Sequence, residues 1–94
     1  MVAPTPSSRA QDNPVDIILV DSRQLVRAGV ERVLSDSAGV TVSAAVANCD
    51  EAMRLARQQQ PQLILINLPG SSVELLDGAS KIRRQFPDIP VLVF

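Results

Sequence analysis

The chain of 94 residues has no histidine, tryptophan or tyrosine, and only one cysteine, Cys49. A single cysteine rules out a disulfide within the chain, and without histidine a His/Cys metal site has no ligands to draw on. A lone thiol suits a reducing compartment. With no histidine to activate it, Cys49 reads as a small buried or helix-capping residue rather than a nucleophile. Aromatic residues amount to 2%, so any core must be aliphatic. Charge of one sign is lacking too: nine Lys and Arg stand against ten Asp and Glu, for a net charge of −1. That balance excludes the dense positive footprint of a nucleic-acid-binding domain, so no nucleic-acid contact is expected from this chain. The basic residues that do cluster, Lys81, Arg83 and Arg84, fall in a helical pattern and read as a solvated face. No run approaches the roughly 20 apolar residues that span a membrane, and Met1–Pro14 has no apolar core of the kind a signal peptide requires. A soluble cytoplasmic protein is the expectation.

What is present is an aliphatic chain, 46% hydrophobic, in alternating segments. Residues 1–14, with three prolines and several small polar residues, have little to bury and are expected to form a flexible tail; residues 15–94 form the domain. Val15-Asp16-Ile17-Ile18-Leu19-Val20 is short, β-branched and nearly all apolar, as a strand buried on both faces should be. Asp21-Ser22 supplies turn and N-cap chemistry. Val26, Val30, Val33 and Leu34 then define one stripe of a helix, which Ser35 to Gly39 breaks. Val40–Val46 reads as a second strand. Asn48 caps a helix through Asp50, Ala52, Met53, Leu55 and Ala56, with Pro61 beyond its end. Leu63–Ile66 is a third buried strand, ending at Asn67, and a loop with Pro69, Gly70, Ser71 and Ser72 follows. Leu75, Ala79, Ile82 and Phe86 share one face of a third helix. Pro87 and Pro90 bracket a turn into Val91-Leu92-Val93-Phe94.

Strands and helices therefore alternate from strand to strand, with short loops. Such alternation requires right-handed crossovers and a parallel sheet covered on both sides, a doubly wound α/β fold. Ligands in these folds sit beyond the carboxyl ends of the strands. That rule directs attention to Asp21-Ser22 and to Asn67-Leu68, which converge in one crevice. Several carboxylates there would bind Mg²⁺, a hard cation needing oxygen ligands. This crevice offers one carboxylate, one hydroxyl and one amide, too little for a firm metal site.

Ile18-Leu19-Val20-Asp21 followed by Leu25-Val26-Arg27-Ala28-Gly29-Val30 resembles the opening of receiver domains from the NarL/FixJ (LuxR-type) class of bacterial response regulators. Pro61-Gln62-Leu63-Ile64-Leu65-Ile66-Asn67-Leu68 is similar to that class's Pro-Asp-x-x-x-x-Asp-Leu. Ile82-Arg83-Arg84-Gln85-Phe86-Pro87-Asp88-Ile89-Pro90-Val91 looks like its third helix and fourth strand. The match runs without gaps from about Val15 to Phe94. It implies the CheY-like, flavodoxin-like receiver fold with strand order 2-1-3-4, the fifth strand and last two helices falling beyond Phe94. The departures are as specific as the match. The second acidic residue of the class is Ser22 here, and its usual His-Pro is Arg23-Gln24. Asn67 stands where the phosphate-accepting aspartate belongs, so of the class's phosphorylation residues only Asp21 is retained.

Acyl-phosphate formation needs a carboxylate nucleophile and cations to neutralise the transferring group. A neutral amide meets neither need, so the expectation is a non-enzymatic pseudo-receiver, unphosphorylated at Asn67, with no cofactor and no metal. The resemblance further implies the N-terminal part of a transcription regulator in two-component signalling, with DNA binding reserved to a C-terminal domain. A second expectation is a complete stand-alone module acting as a dimeriser or decoy. In either case Val91, Leu92, Val93 and Phe94 form an apolar, uncharged edge suited to another chain. A homodimer is expected, domain-swapped in one version. A flavin-binding enzyme would share the strand order, but Asp21-Ser22-Arg23-Gln24 is no phosphate cradle and no aromatic is available to stack on a flavin. A weakly working site through deamidation of Asn67 would still lack an acid at Ser22.

Overall fold

The computed structural model describes residues 14–67 and 73–94. Four parallel strands, β1 (Val15–Val20), β2 (Val40–Val46), β3 (Leu63–Ile66) and β4 (Val91–Val93), alternate with three helices, α1 (Gln24–Ser35), α2 (Cys49–Gln59) and α3 (Val73–Gln85). The sheet order is β2-β1-β3-β4, the flavodoxin-like receiver order expected from the sequence. The expected tail over residues 1–13, the loop at 68–72 and the Leu75 side chain lie outside the described residues.

Alternation along each strand divides the interior in two. Ile18 and Val20 of β1 and Ile64 and Ile66 of β3 face one core, with Ala52, Met53 and Ala56 of α2 and Ala79 and Ile82 of α3. Ile17, Leu19 and Leu65 face the other way, where Val30 and Leu34 of α1 cover them in part. The sheet is thus closed by two helices on one side and by one on the other. β2 changes sides midway. Val40 and Val42 face the α1 side and Ala44 and Val46 the opposite side, because the β1–β2 register slips between Ile17 and Ile18. Ser43 is the extra residue of this bulge, and its hydroxyl donates to the Ile17 carbonyl at 3.3 Å. Without the bulge a single face would have received all four side chains.

Helix boundaries follow from local chemistry. Asn48 caps α2 as expected, its side chain accepting from the Glu51 N–H at 2.9 Å. α2 ends on Gln60, a non-glycine residue in the left-handed region at φ 49°, whose N–H reaches the Ala56 carbonyl. Gly78 is explained by proximity: a Cβ there would lie 2.6 Å from both Cβ and Sγ of Cys49. Glycine is what lets α3 approach the first turn of α2. Cys49 is buried, as expected, and burial, with the nearby Asp50 charge, pushes its thiol pKa up.

Two expectations are corrected. Ser22 does not cap α1; the N-cap position belongs to Arg23, whose side chain makes no cap bond. The packed stripe of α1 is narrower than Val26, Val30, Val33 and Leu34: only Val30 and Leu34 pack against the core, while Val26 and Val33 are exposed, Val33 by 67%. With helices at 100° steps, Val26 and Val33 lie to the side of the line through Val30 and Leu34, and Val33 borders an open groove beside β4 instead of the core.

Candidate functional site

The carboxyl ends of β1 and β3 lie side by side, with Val20 paired to Ile66. The residues that follow, Asp21 and Asn67, are therefore neighbours. Asp21 is the one charged residue of the described chain that is fully buried, and its backbone is fixed by its N–H donating to the Val46 carbonyl at 3.0 Å. Asn67 is held likewise, its N–H donating to the Val20 carbonyl at 2.9 Å.

Both carboxylate oxygens of Asp21 are engaged by the chain itself. Oδ1 accepts from the Arg23 backbone N–H at 2.9 Å and from its Nε at 3.2 Å. Oδ2 accepts from Arg23 Nη2 at 3.3 Å and from Asn67 Nδ2 at 2.8 Å. The Asp21 carbonyl accepts from Arg27 Nη1 at 2.8 Å. The backbone bond to Oδ1 is an Asx turn, and it folds the Arg23 side chain back over the carboxylate in a forked pairing. Arg23, 41% exposed, forms the lid. Burial alone would raise the Asp21 pKa, but the hydrogen bonds and charge of Arg23, with the Asn67 amide, prevail and hold it below the ordinary aspartate value. Asp21 is ionised and already neutralised.

The structure brings Asp21 and Asn67 together as expected. Ser22 is exposed, and among the described residues it makes no side-chain bond to either of them. Reading the sequence missed Arg23 and Arg27. The signal available was the Asp-x-Arg spacing, which lets an Asx turn aim an arginine back at the aspartate two residues earlier. The β4 segment lies at the edge of the sheet. Val91 and Val93 pack against the larger core, whereas Leu92 and Phe94 are each 54% exposed. With Val30, Val33, Leu34 and Leu65 they line an open, almost wholly apolar groove of about 410 Å³. Lys81, Arg83 and Arg84 are exposed, as a solvated face requires.

The chain is 30% identical over 79 residues to the response regulator GacA of Pseudomonas aeruginosa, covering 84% of this chain and 37% of that protein. A two-component response regulator of the LuxR family from Aurantimonas sp. SI85-9A1 superposes with a TM-score of 0.73 at 30% identity, over 87% of this chain and 59% of that one. The signal receiver domain of NarL from Mycobacterium tuberculosis superposes with a TM-score of 0.71 at 24% identity, over 86% of this chain and 65% of that one. This is a receiver domain of the NarL/LuxR response-regulator class. No family model matches it. The receiver spans little more than a third of the length of the curated relatives it matches, 37% for GacA.

Receivers of this class carry acidic residues at this crevice, the donor set of a divalent metal ion. The residues here do not fit one. Among the described residues no group of three or more His, Cys, Asp or Glu is placed to hold a metal. Mg²⁺ needs oxygen ligands at about 2.0–2.1 Å in a near-octahedral array, and both Asp21 oxygens already accept from nitrogen donors. One carboxylate here faces two guanidinium groups, so the pocket presents no net negative charge to a cation. Among the described residues, no helix is long and apolar enough to cross a membrane.

Proposed function

We propose that this receiver is a pseudo-receiver: it takes no phosphoryl group at position 67 and signals by protein contact. The observation that carries this reading is the bond from Asn67 Nδ2 to Asp21 Oδ2 at 2.8 Å. The residue at the phosphate-accepting position acts as a donor toward the pocket. An aspartate there would set two carboxylates against each other unless a cation lay between them. An amide nitrogen bonded to a carboxylate has no basic lone pair to offer an electrophile. The chemistry of acyl-phosphate formation is therefore missing at the attacking atom as well as at the metal.

In its wider setting the chain acts as the N-terminal part of a cytoplasmic transcription regulator. DNA contact then belongs to a C-terminal region, and control of transcription does not depend on phosphorylation. The protein partner is a second copy of the receiver. The apolar groove between α1 and β4 favours this reading, because Leu92 and Phe94, each about half exposed, line it with Val30, Val33, Leu34 and Leu65. The stand-alone dimeriser or decoy would use the same surface. A flavin-binding role gains no support from a strand-tip crevice closed by Arg23.

Intact-mass analysis after incubation with a small phosphodonor and Mg²⁺ tests the first claim. The mass is expected to stay unchanged. A single phosphate adduct mapping to residue 67 on protein whose Asn67 is still an amide overturns the proposal.

A further inference from the structure

Building on the reading that this receiver takes no phosphoryl group, we infer that the Arg23 guanidinium occupies the position over Asp21 that a divalent cation would need, so that the pocket is neutralised by its own chain and excludes the metal. Arg23 is well placed to do so. Its backbone N–H and its Nε converge on one carboxylate oxygen, and Nη2 reaches the other. The competitor is two residues from the carboxylate it covers, so it is present at a fixed local concentration that no dilution reduces. An entering ion would have to break the forked pairing and turn the Asn67 amide, whose hydrogen points at Oδ2. It would also meet the charge of Arg27, bonded to the Asp21 carbonyl. The side chains at Ser22 and Asn67 are neutral and add no charge to offset the lost attraction.

The inference gives Arg23 a task that packing does not require of it. Its side chain is 41% exposed and covers a site rather than filling a core. A receiver with a free acidic pocket changes its local charge as metal comes and goes. This one holds the same arrangement of Asp21, Asn67 and the β3 tip whatever the Mg²⁺ level. The pocket is set permanently, and any partner that reads this end of the sheet meets one surface.

Mn²⁺ serves as the probe, followed by electron paramagnetic resonance of the free ion during titration of the full chain. The native chain is expected to show no saturable binding at millimolar Mn²⁺. Asn67→Asp, which adds a second carboxylate beneath an intact Arg23, is expected to bind weakly. Asn67→Asp combined with Arg23→Ala is expected to bind at least about tenfold more tightly than Asn67→Asp alone. Circular dichroism checks that each variant is folded; should the alanine variant not fold, Arg23→Gln keeps much of the side-chain bulk without the charge and carries the same comparison. Equal Mn²⁺ affinity with and without Arg23, or micromolar binding by the native chain, overturns the inference. Neither result bears on phosphoryl transfer, which the mass measurement reads separately. An adduct on the native chain would remove the pseudo-receiver reading and leave the Mn²⁺ comparison to decide the role of Arg23.

Discussion

Replacing Arg23 by alanine is expected to destabilise the receiver by about 2 kcal/mol at neutral pH, and by much less in acid. The magnitude lies between two limits. Breaking a fully buried ion pair costs about 3–5 kcal/mol because a charge is left uncompensated, whereas an exposed pair contributes about 0–1 kcal/mol. Asp21 is fully buried but Arg23 is 41% exposed, so water can partly replace the guanidinium once it is gone. The Asn67 amide and the backbone N–H of residue 23 remain to accept part of the burden. The pH dependence has a definite sign. The Asp21 pKa lies below its ordinary value of 3.8 in the folded chain, so its stabilising effect is present above that value and fades as pH falls through the folded pKa. Without Arg23, burial dominates and the folded pKa rises. The difference between native chain and variant should therefore be full near about pH 7 and smaller at about pH 3, shrinking further as pH falls through the lowered folded pKa of the native Asp21. Urea denaturation followed by circular dichroism at both pH values measures it, and for a chain of this size each kcal/mol also moves the melting temperature by about 4–8 °C. A loss below about 0.5 kcal/mol at neutral pH, within the range of an ordinary surface change, would refute the reasoning. So would a loss undiminished in acid, since that would mean Arg23 works by packing and not by charge.

Two further outcomes are expected. The receiver should sediment as a dimer at tens of micromolar, and Leu92→Lys should convert it to a monomer by placing a charge on the exposed edge; a well-behaved native monomer would count against the proposed partner. Gly78→Ala should destabilise despite the roughly 1 kcal/mol that alanine ordinarily gains over glycine within a helix, because its methyl group would sit 2.6 Å from Cys49 Cβ and overpacking costs about 1–3 kcal/mol. In a Cys49→Gly background the same change should become neutral or stabilising, and urea denaturation of the four proteins reads the coupling.

The parts of this fold that were legible in the sequence are those set by short-range pattern. The apolar runs at Ile17–Val20 and Leu63–Ile66 could only be buried strands, and Asn48 announced its helix by its own side chain. The meeting of Asp21 and Asn67 followed from topology, because parallel neighbours bring their carboxyl ends together. Other features depended on geometry that spacing does not encode. Whether Arg23 turns outward or back depends on the extended backbone at that residue and on an Asx turn that only the folded chain displays. Val33 carries an apolar side chain on the open groove beside β4, where composition alone would have placed it in the core. The bulge at Ser43 reverses the sides of β2 without any glycine or proline to mark it. The reason for Gly78 lies 29 positions away in sequence, at Cys49.

The uneven clothing of the sheet bears on how the molecule comes apart. None of the residues of α1 is fully buried, and the core beneath it rests on Ile17, Leu19 and Leu65, so this helix should belong to the least protected cooperative unit of the chain. The same helix carries Arg27, and its cap is Arg23; together they grip both the carbonyl and the carboxylate of Asp21. Fraying of α1 from the sheet and release of the strand-tip pocket are thus one event. Whatever clamps that helix from outside also governs how long Asp21 stays covered.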